Sequence, residues 1–358
     1  MNKQQHEINV GIIGTGFMGK AHAKGYQMFG IPIGMFASRE VEKAKETAEA
    51  FGVSKWTDDW RQLILDPEID CVDITVPNYL HFDVAMACIE ANKPFLIEKP
   101  LARNTKEGKA IVAAAKEKGI VAVYGENMRY KPALMRTKEI IDQGGLGEII
   151  MLRSNEIHNG PFHSEWFWDA ELTGGGAAID MGIHGLYTLE WIMGSKIKRV
   201  YAETDVLKWG EYCKNGSEDT ALVIVRFENG GMAELVNSWA ITGGMDIRLE
   251  VFGKEGTAYV STTHDAGGLR VHSHPGYGQS VEEAATEKPH VVSTKGWGFP
   301  SPDDELQRGH AYEVKHFIDC VRGADEPKST LEEGLRALEL VEAIYESACT
   351  RKAVELNI

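Results

Sequence analysis

The segment Gly14-Thr15-Gly16-Phe17-Met18-Gly19 lies between a short apolar run, residues 10–13, and a helical stretch over residues 20–29. That G-x-G-x-x-G spacing, between a strand and a helix, leaves few folds open. The first glycine makes the tight turn, and the second lets backbone approach a pyrophosphate. The third lets helix and strand pack closely, and the helix N-terminus attracts the anion. Gly14, Thr15, Gly16, Phe17, Met18 and Gly19 are therefore read as a dinucleotide phosphate site.

The next strand, residues 31–37, runs out into Ser38-Arg39-Glu40. NAD-binding versions of this turn place an Asp or Glu about 20 residues on, against the ribose 2′-hydroxyl. A serine and an arginine suit a 2′-phosphate instead, because the guanidinium matches phosphate geometry. Ser38 and Arg39 tilt the expected cofactor slightly from NAD toward NADP. Two alternatives stay open: Glu40 serves the ribose if the strand ends later, or Arg39 is a solvated helix-start residue.

Strand and helix signals then alternate: helix 41–51, strand 53–56, helix 60–65, strand 71–76, helix 81–90, strand 95–97, helix 104–118 and strand 121–124. Buried strands alternating with helices predict a doubly wound parallel sheet. Ligands of such sheets sit beyond the carboxyl ends of the strands, where Asn78, Lys99 and Asn127 fall. Lys99, between Glu98 and Pro100, reads either as a surface ion-pair residue or as a ligand-edge lysine that polarises a substrate hydroxyl.

Past residue 147 the pattern changes. Strands are expected over 148–158, 199–207, 220–227, 232–239, 247–252 and 257–261, with hairpin signals at Asn229-Gly230-Gly231 and Lys254-Glu255-Gly256. Within this half, Gly174-Gly175-Gly176 precedes an apolar helical run over 177–191. Three glycines in a row mark a strained turn or a close backbone approach. Asp180 and His184, spaced i, i+4, project from one helix face, as a proton-transfer pair or as a satisfied polar pair on a buried helix. Glu156, His158, His163, Trp166 and Trp168 flank that stretch. Rings beside polar groups suit a sugar, while tryptophans equally fill cores. Trp209 and Tyr212 are expected in a hairpin loop that reaches the same pocket or a neighbouring subunit. Helices over 303–321 and 331–350 close the chain by core packing.

The chain has 358 residues, so two domains are expected, 1–126 for the dinucleotide and 127–358 for substrate and oligomerisation. A formal net charge of −15 argues against nucleic-acid and anionic-membrane partners. The five cysteines are scattered, never as Cys-x-x-Cys, and read as thiols of a reducing compartment rather than zinc ligands. His264, His272 and His274 lack a completing carboxylate or cysteine, so no metal is expected. A polar N-terminus and the lack of a long apolar run point to a soluble, cytoplasmic protein.

Taken together, these residues resemble the glucose–fructose oxidoreductase / inositol dehydrogenase / MocA (Gfo/Idh/MocA) family of sugar and polyol dehydrogenases. The similarity rests on Gly14-x-Gly16-x-x-Gly19, Val76-Pro77-Asn78 with His81, Glu98-Lys99-Pro100, and Asn127-Met128-Arg129-Tyr130-Lys131-Pro132. The triple glycine with Asp180 and His184, and the run from Tyr312 to Val354, complete it in the family's order. The resemblance implies a Rossmann domain followed by an α+β domain on a mostly antiparallel open sheet, whose open face serves a homodimer or homotetramer. It implies that Lys99 orients the reacting hydroxyl, Asp180 binds substrate and His184 is the general acid/base. Pro77, Asn78, His81, Glu98 and Asn127 would line the cofactor cleft, and Arg129, Glu156, His158, Trp166 and Trp168 the substrate side.

The function that follows is an NAD(P)-dependent dehydrogenase acting on a secondary hydroxyl of a sugar, polyol or glycoside. Two alternatives stand beside it. One is a glycoside-processing enzyme that keeps and recycles its NAD. The other is a non-catalytic dinucleotide-dependent regulator, against which the intact Lys99, Asp180 and His184 argue.

Overall fold

The computed structural model describes residues 7–242, 245–262, 268–277, 294–298 and 309–356. The chain divides into two compact units. The first takes in residues up to 130 with 171–174 and 308–339; the second takes in 131–170, 175–307 and 340–358.

In the first unit six strands form a parallel sheet: β1 (Val10–Ile13), β2 (Ile33–Ala37), β3 (Trp56–Thr57), β4 (Cys71–Ile74), β5 (Phe95–Glu98) and β6 (Ala122–Gly125). Their order is β3-β2-β1-β4-β5-β6, every neighbouring pair parallel. This is the doubly wound order of a dinucleotide-binding sheet. All four residues of β1, β4, β5 and β6 are buried, which is what two covered faces require.

The crossovers are α1 (Phe17–Met28), α2 (Val41–Ala50), α3 (Trp60–Leu65), α4 (Asn78–Glu90) and α5 (Thr105–Lys118). Local chemistry sets their ends. Asp59 caps α3 and Asn104 caps α5 through side-chain bonds to Arg61 and Glu107 N–H, each worth about 1 kcal/mol. Gly119, at φ 62°, closes α5 in the left-handed conformation.

The second unit holds α6 (Pro132–Asp142), which opens on a proline at its first turn. It then builds a nine-stranded sheet from β7 (Ile149–Ile157), β8 (Ile197–Asp205), β9 (Thr220–Phe227), β10 (Met232–Ser238), β11 (Asp246–Gly253), β12 (Gly256–Ser261), β13 (Leu269–Ser273), β14 (Gly296–Gly298) and β15 (Val354–Glu355). The order is β14-β13-β12-β11-β7-β10-β9-β8-β15. Both expected hairpins form, β9–β10 and β11–β12. The sheet is antiparallel except where β7 and β10 run parallel. The strands β13 and β14, the two-residue β15 and the helix α6 were not expected; β14 and β15, at three and two residues, are too short to show alternation.

A short helix α7 (Ala170–Thr173) precedes the triple glycine. The expected helix after the glycines begins as a π-wound turn, Ala178–Gly182, and continues as α8 (Ile183–Met193), ending at Gly194 in the left-handed region. The closing helices are α9 (His310–Val321) and α10 (Leu331–Thr350); residues 303–308 of the first expected helix lie outside the described residues. In the first unit α9 packs against α1 so closely that a Cβ at Gly25 would stand 2.8 Å from Val314 and 3.0 Å from Ala311. Val314, Phe317 and Ile318 of α9 share one buried cluster with Val10, Tyr26, Phe36 and Leu96. Among the described residues no helix is long and apolar enough to cross a membrane.

Candidate active site

The phosphate loop follows β1. Gly14 has φ 113°, and a Cβ there would meet the Thr75 carbonyl at 2.4 Å; a Cβ on Gly19 would lie 2.0 Å from Gly14 O. Only glycine fits either position. Gly16 differs: a Cβ there would meet nothing within 4 Å. Open space at the second glycine, at the N-terminus of α1, is what a close-approaching pyrophosphate requires. Thr15 and Met18 are half-buried and Phe17 is exposed. The residues present fit a dinucleotide. Thr75, which sequence reasoning passed over, ties this turn to the end of β4 by donating its hydroxyl to Ile13 O at 3.0 Å and Gly14 O at 3.1 Å.

β2 ends at Ala37, as expected, with Ser38 half-buried and Arg39 exposed. Ser38 N–H bonds Thr57 O at 3.1 Å. Glu40 is exposed and paired with Lys43 at 2.8 Å.

At the carboxyl ends of β4 and β5, Pro77 precedes α4 and Asn78 opens it. Asn78 is buried and donates its amide to Thr173 O at 3.0 Å. His81 is fully buried, with Nδ1 2.7 Å from Pro100 O and Nε2 2.9 Å from Val76 O. It clamps the turn after β4 to the turn after β5. Burial holds its pKa below the ordinary value, so the neutral ring donates to one carbonyl at a time. Glu98 is buried, its Oε2 accepting the Lys99 N–H at 3.0 Å, and the Lys99–Pro100 peptide is cis. Lys99 itself is half-buried. Asn127 follows β6 with its amide 3.2 Å from His310 Nε2, and Arg129, half-buried, sits in the same short 3₁₀ turn.

The triple glycine does both things expected of it. Gly174 has φ 95°. A Cβ on Gly175 would overlap the Tyr345 hydroxyl at 1.9 Å, and one on Gly176 would overlap Glu218 O at 1.9 Å. That closeness lets the Glu218 carboxylate cap the π-wound turn, accepting N–H of Gly176 at 3.0 Å and Ala178 at 2.7 Å. Tyr345 adds its hydroxyl to Glu218 at 3.2 Å. Burial raises the Glu218 carboxyl to about 7, against the pull of the Ala178 N–H. Neither Glu218 nor Tyr345 was legible as part of this site, for both come from distant segments.

Asp180, in the π-wound turn, is buried. Its Oδ2 accepts the Trp239 indole N–H at 3.0 Å and lies 3.3 Å from His158 Nε2. Wide helical turns of this kind recur at functional sites. His184 is half-buried in the first turn of α8. Glu156 is buried on β7, beside the position where a Cβ on Gly185 would stand. Trp168 is buried and packed on Trp239, Phe162, Trp209 and Tyr212. Trp209 donates its indole N–H to Trp239 O at 2.7 Å, so this ring holds the backbone carbonyl of Asp180's donor. Trp166 stacks on Phe167 at 3.9 Å, half-buried. His272 packs on Trp297, and His274 faces Glu255 at 3.6 Å; His264 lies outside the described residues.

Comparison with known proteins matches residues 8–126 to an oxidoreductase family with an NAD-binding Rossmann fold, the GFO/IDH/MocA model, and residues 134–259 to the GFO/IDH/MocA C-terminal domain. Levoglucosan dehydrogenase of Pseudarthrobacter phenanthrenivorans is 29% identical over 98% of this chain and 98% of that protein. YrbE of Bacillus subtilis, named an uncharacterized oxidoreductase, is 31% identical over 70% of this chain and 73% of its own length. The solved structure of levoglucosan dehydrogenase with NADH and levoglucosan superposes with a TM-score of 0.82 at 28% identity, covering 98% of this chain and all of that one.

Proposed function

The chain belongs to the Gfo/Idh/MocA oxidoreductase family and carries its NAD-binding Rossmann domain, and on that premise we propose that it is an NAD(P)-dependent dehydrogenase of a sugar or polyol secondary hydroxyl. The observation that carries the reading is a cradle open only at Gly16, in a chain that also keeps Lys99, Asp180 and His184. Curated relatives named levoglucosan, myo-inositol and scyllo-inositol dehydrogenases support the substrate class.

Gly14 to Gly19 form the pyrophosphate cradle, Gly14 and Gly19 by shaping the turn and the open Gly16 by admitting the phosphates to the N-terminus of α1. Ser38 and Arg39 meet the adenosine ribose, with the exposed Arg39 able to take a 2′-phosphate. Pro77, Asn78, His81, Glu98 and Asn127 shape the remaining cleft. The nicotinamide, when bound, supplies the hydride acceptor. His184 takes the hydroxyl proton as general base, a role worth about 10²–10⁴-fold in rate. The Lys99 ammonium stabilises the developing alkoxide. Asp180, held by Trp239, anchors a substrate hydroxyl and orients it against His184. Arg129, Glu156, His158, Trp166 and Trp168 are assigned to substrate. We assign the exposed apolar face of the second unit's sheet to a homodimer or homotetramer, and the protein to the cytoplasm.

The test is absorbance at 340 nm with NAD or NADP and a panel of inositols, aldoses, ketoses and glycosides. A steady rise with one pair supports the reading and reports the cofactor. No rise with any pair, from protein that releases no dinucleotide on denaturation, overturns it. No rise from protein that does release NAD moves the assignment to internal recycling on glycosides.

A further inference from the structure

Beside the dinucleotide cradle the first unit gathers four buried or half-buried titratable groups to which the proposed reaction gives no proton-transfer role, one of which, Glu98, also borders the proposed cofactor cleft. His22 of α1, Glu98 at the end of β5, and His310 and Glu313 of α9 bring one donor atom each within 4.8 Å of one another. His22 Nε2 is 3.2 Å from Glu98 Oε1 and 3.5 Å from Glu313 Oε2, and His310 Nδ1 is 3.7 Å from Glu313 Oε2. These three of the six separations are near the edges of a tetrahedron, about 3.3–3.5 Å for metal–ligand distances near 2.0–2.2 Å, and the others lie within 4.8 Å.

Two further observations point the same way. Neither carboxylate oxygen of Glu313 has a hydrogen-bond partner among the described residues, although the side chain is fully buried. And His22 Nδ1 faces the buried Asp73 carboxylate of β4 at 2.9 and 3.1 Å. With Nδ1 held by Asp73, His22 turns Nε2 toward Glu98 Oε1 and Glu313 Oε2. A cation bound among these atoms would complete a carboxylate–histidine–metal arrangement, the recurring outer arrangement of such sites. His310 and Glu313, one helical turn apart, project together.

We propose that this cluster is a structural site for one divalent first-row transition cation, ligated by His22, Glu98, His310 and Glu313. An N₂O₂ set without thiolate is of the kind that binds Zn²⁺ and its neighbours. Ligation by His310 Nδ1 requires Asn127 to present its amide oxygen to Nε2–H, the alternative placement of an amide whose O and N are interchangeable by a half-turn. Asp73 is a positioning residue for His22. The cation would pin α9 and α1 to the end of β5, a role distinct from the hydride chemistry.

The experiment uses the untagged full chain, stripped with chelator and then titrated with Zn²⁺ or Co²⁺. Metal content is read by mass spectrometry, Co²⁺ ligand field by visible absorption, and Tm by calorimetry. Expected are one ion per chain, a Tm that falls on stripping and recovers with Zn²⁺, and the intense visible absorption of four-coordinate Co²⁺. Glu313→Gln abolishes stoichiometric uptake, and Asp73→Asn weakens it about 10–100-fold. Wild-type protein that takes up neither ion and keeps its Tm through stripping overturns the proposal, whether or not the variants fold. So does undiminished uptake by a folded Glu313→Gln protein.

Discussion

Trp239 donates its indole N–H to Asp180 Oδ2 at 3.0 Å, and the same oxygen lies 3.3 Å from His158 Nε2. A buried carboxylate of the proposed substrate site is thus held by a strand-end indole. A hydrogen bond to a charged group is worth roughly 1.5–3 kcal/mol. Trp239→Phe should therefore lower kcat/KM about 10–100-fold while the far-UV circular dichroism stays unchanged. Wild-type kcat/KM in that variant removes Trp239 from the site.

His184→Ala should reduce turnover about 10²–10⁴-fold with dinucleotide affinity retained, measured by fluorescence titration. A matching loss of dinucleotide binding would instead make His184 a structural residue.

The first two glycines of the phosphate loop should separate stability from binding. Gly16→Ala adds a methyl to open space, so Tm should hold while dinucleotide affinity falls at least tenfold. Gly14→Ala drives a Cβ into Thr75 O at φ 113°, and should cost about 1–3 kcal/mol or more of stability. Equal Tm for the two variants contradicts this division.

Glu218 gives a pH dependence with a definite sign. Burial raises its carboxyl from 4.5 to about 7, so the folded protein binds the proton more tightly than the unfolded chain does. The associated stability is fully present below about pH 4.5 and is lost as pH rises toward 7, on the order of 3 kcal/mol in total. Glu218→Gln should flatten that part of the stability–pH curve obtained by urea unfolding. A curve of unchanged slope excludes Glu218 as its source.

Along β9, Leu222 and Ile224 are each 52% exposed while Ala221, Val223 and Val225 between and beside them are buried. Single exposed apolar residues are ordinary, but Ile150, Met151 and Met232 extend the patch across β7 and β10. Leu222→Arg with Ile224→Arg should lower the oligomeric mass seen by light scattering without lowering the monomer's Tm. An unchanged mass places the interface elsewhere.

The sequence alone determined the parallel sheet, because strand and helix periods alternate locally and the spacing of Gly14, Gly16 and Gly19 is read within six residues. Both hairpins of the second sheet were legible for the same reason. The triple glycine announced a close approach, yet what approaches it, Glu218 and Tyr345, lies 42 and 169 residues away from Gly176. Nothing local in Thr75 marks it as the tie on the phosphate turn. The parallel pairing of β7 with β10 is likewise invisible, since alternation within a strand does not say which edge it joins. Most of all, the residues of α9 read as one more amphipathic helix, whereas the fold brings that helix against α1, with His310 and Glu313 beside His22 and Glu98. Local periodicity specifies which face of an element is buried. Only tertiary packing decides against what, and so which buried charges must share a site.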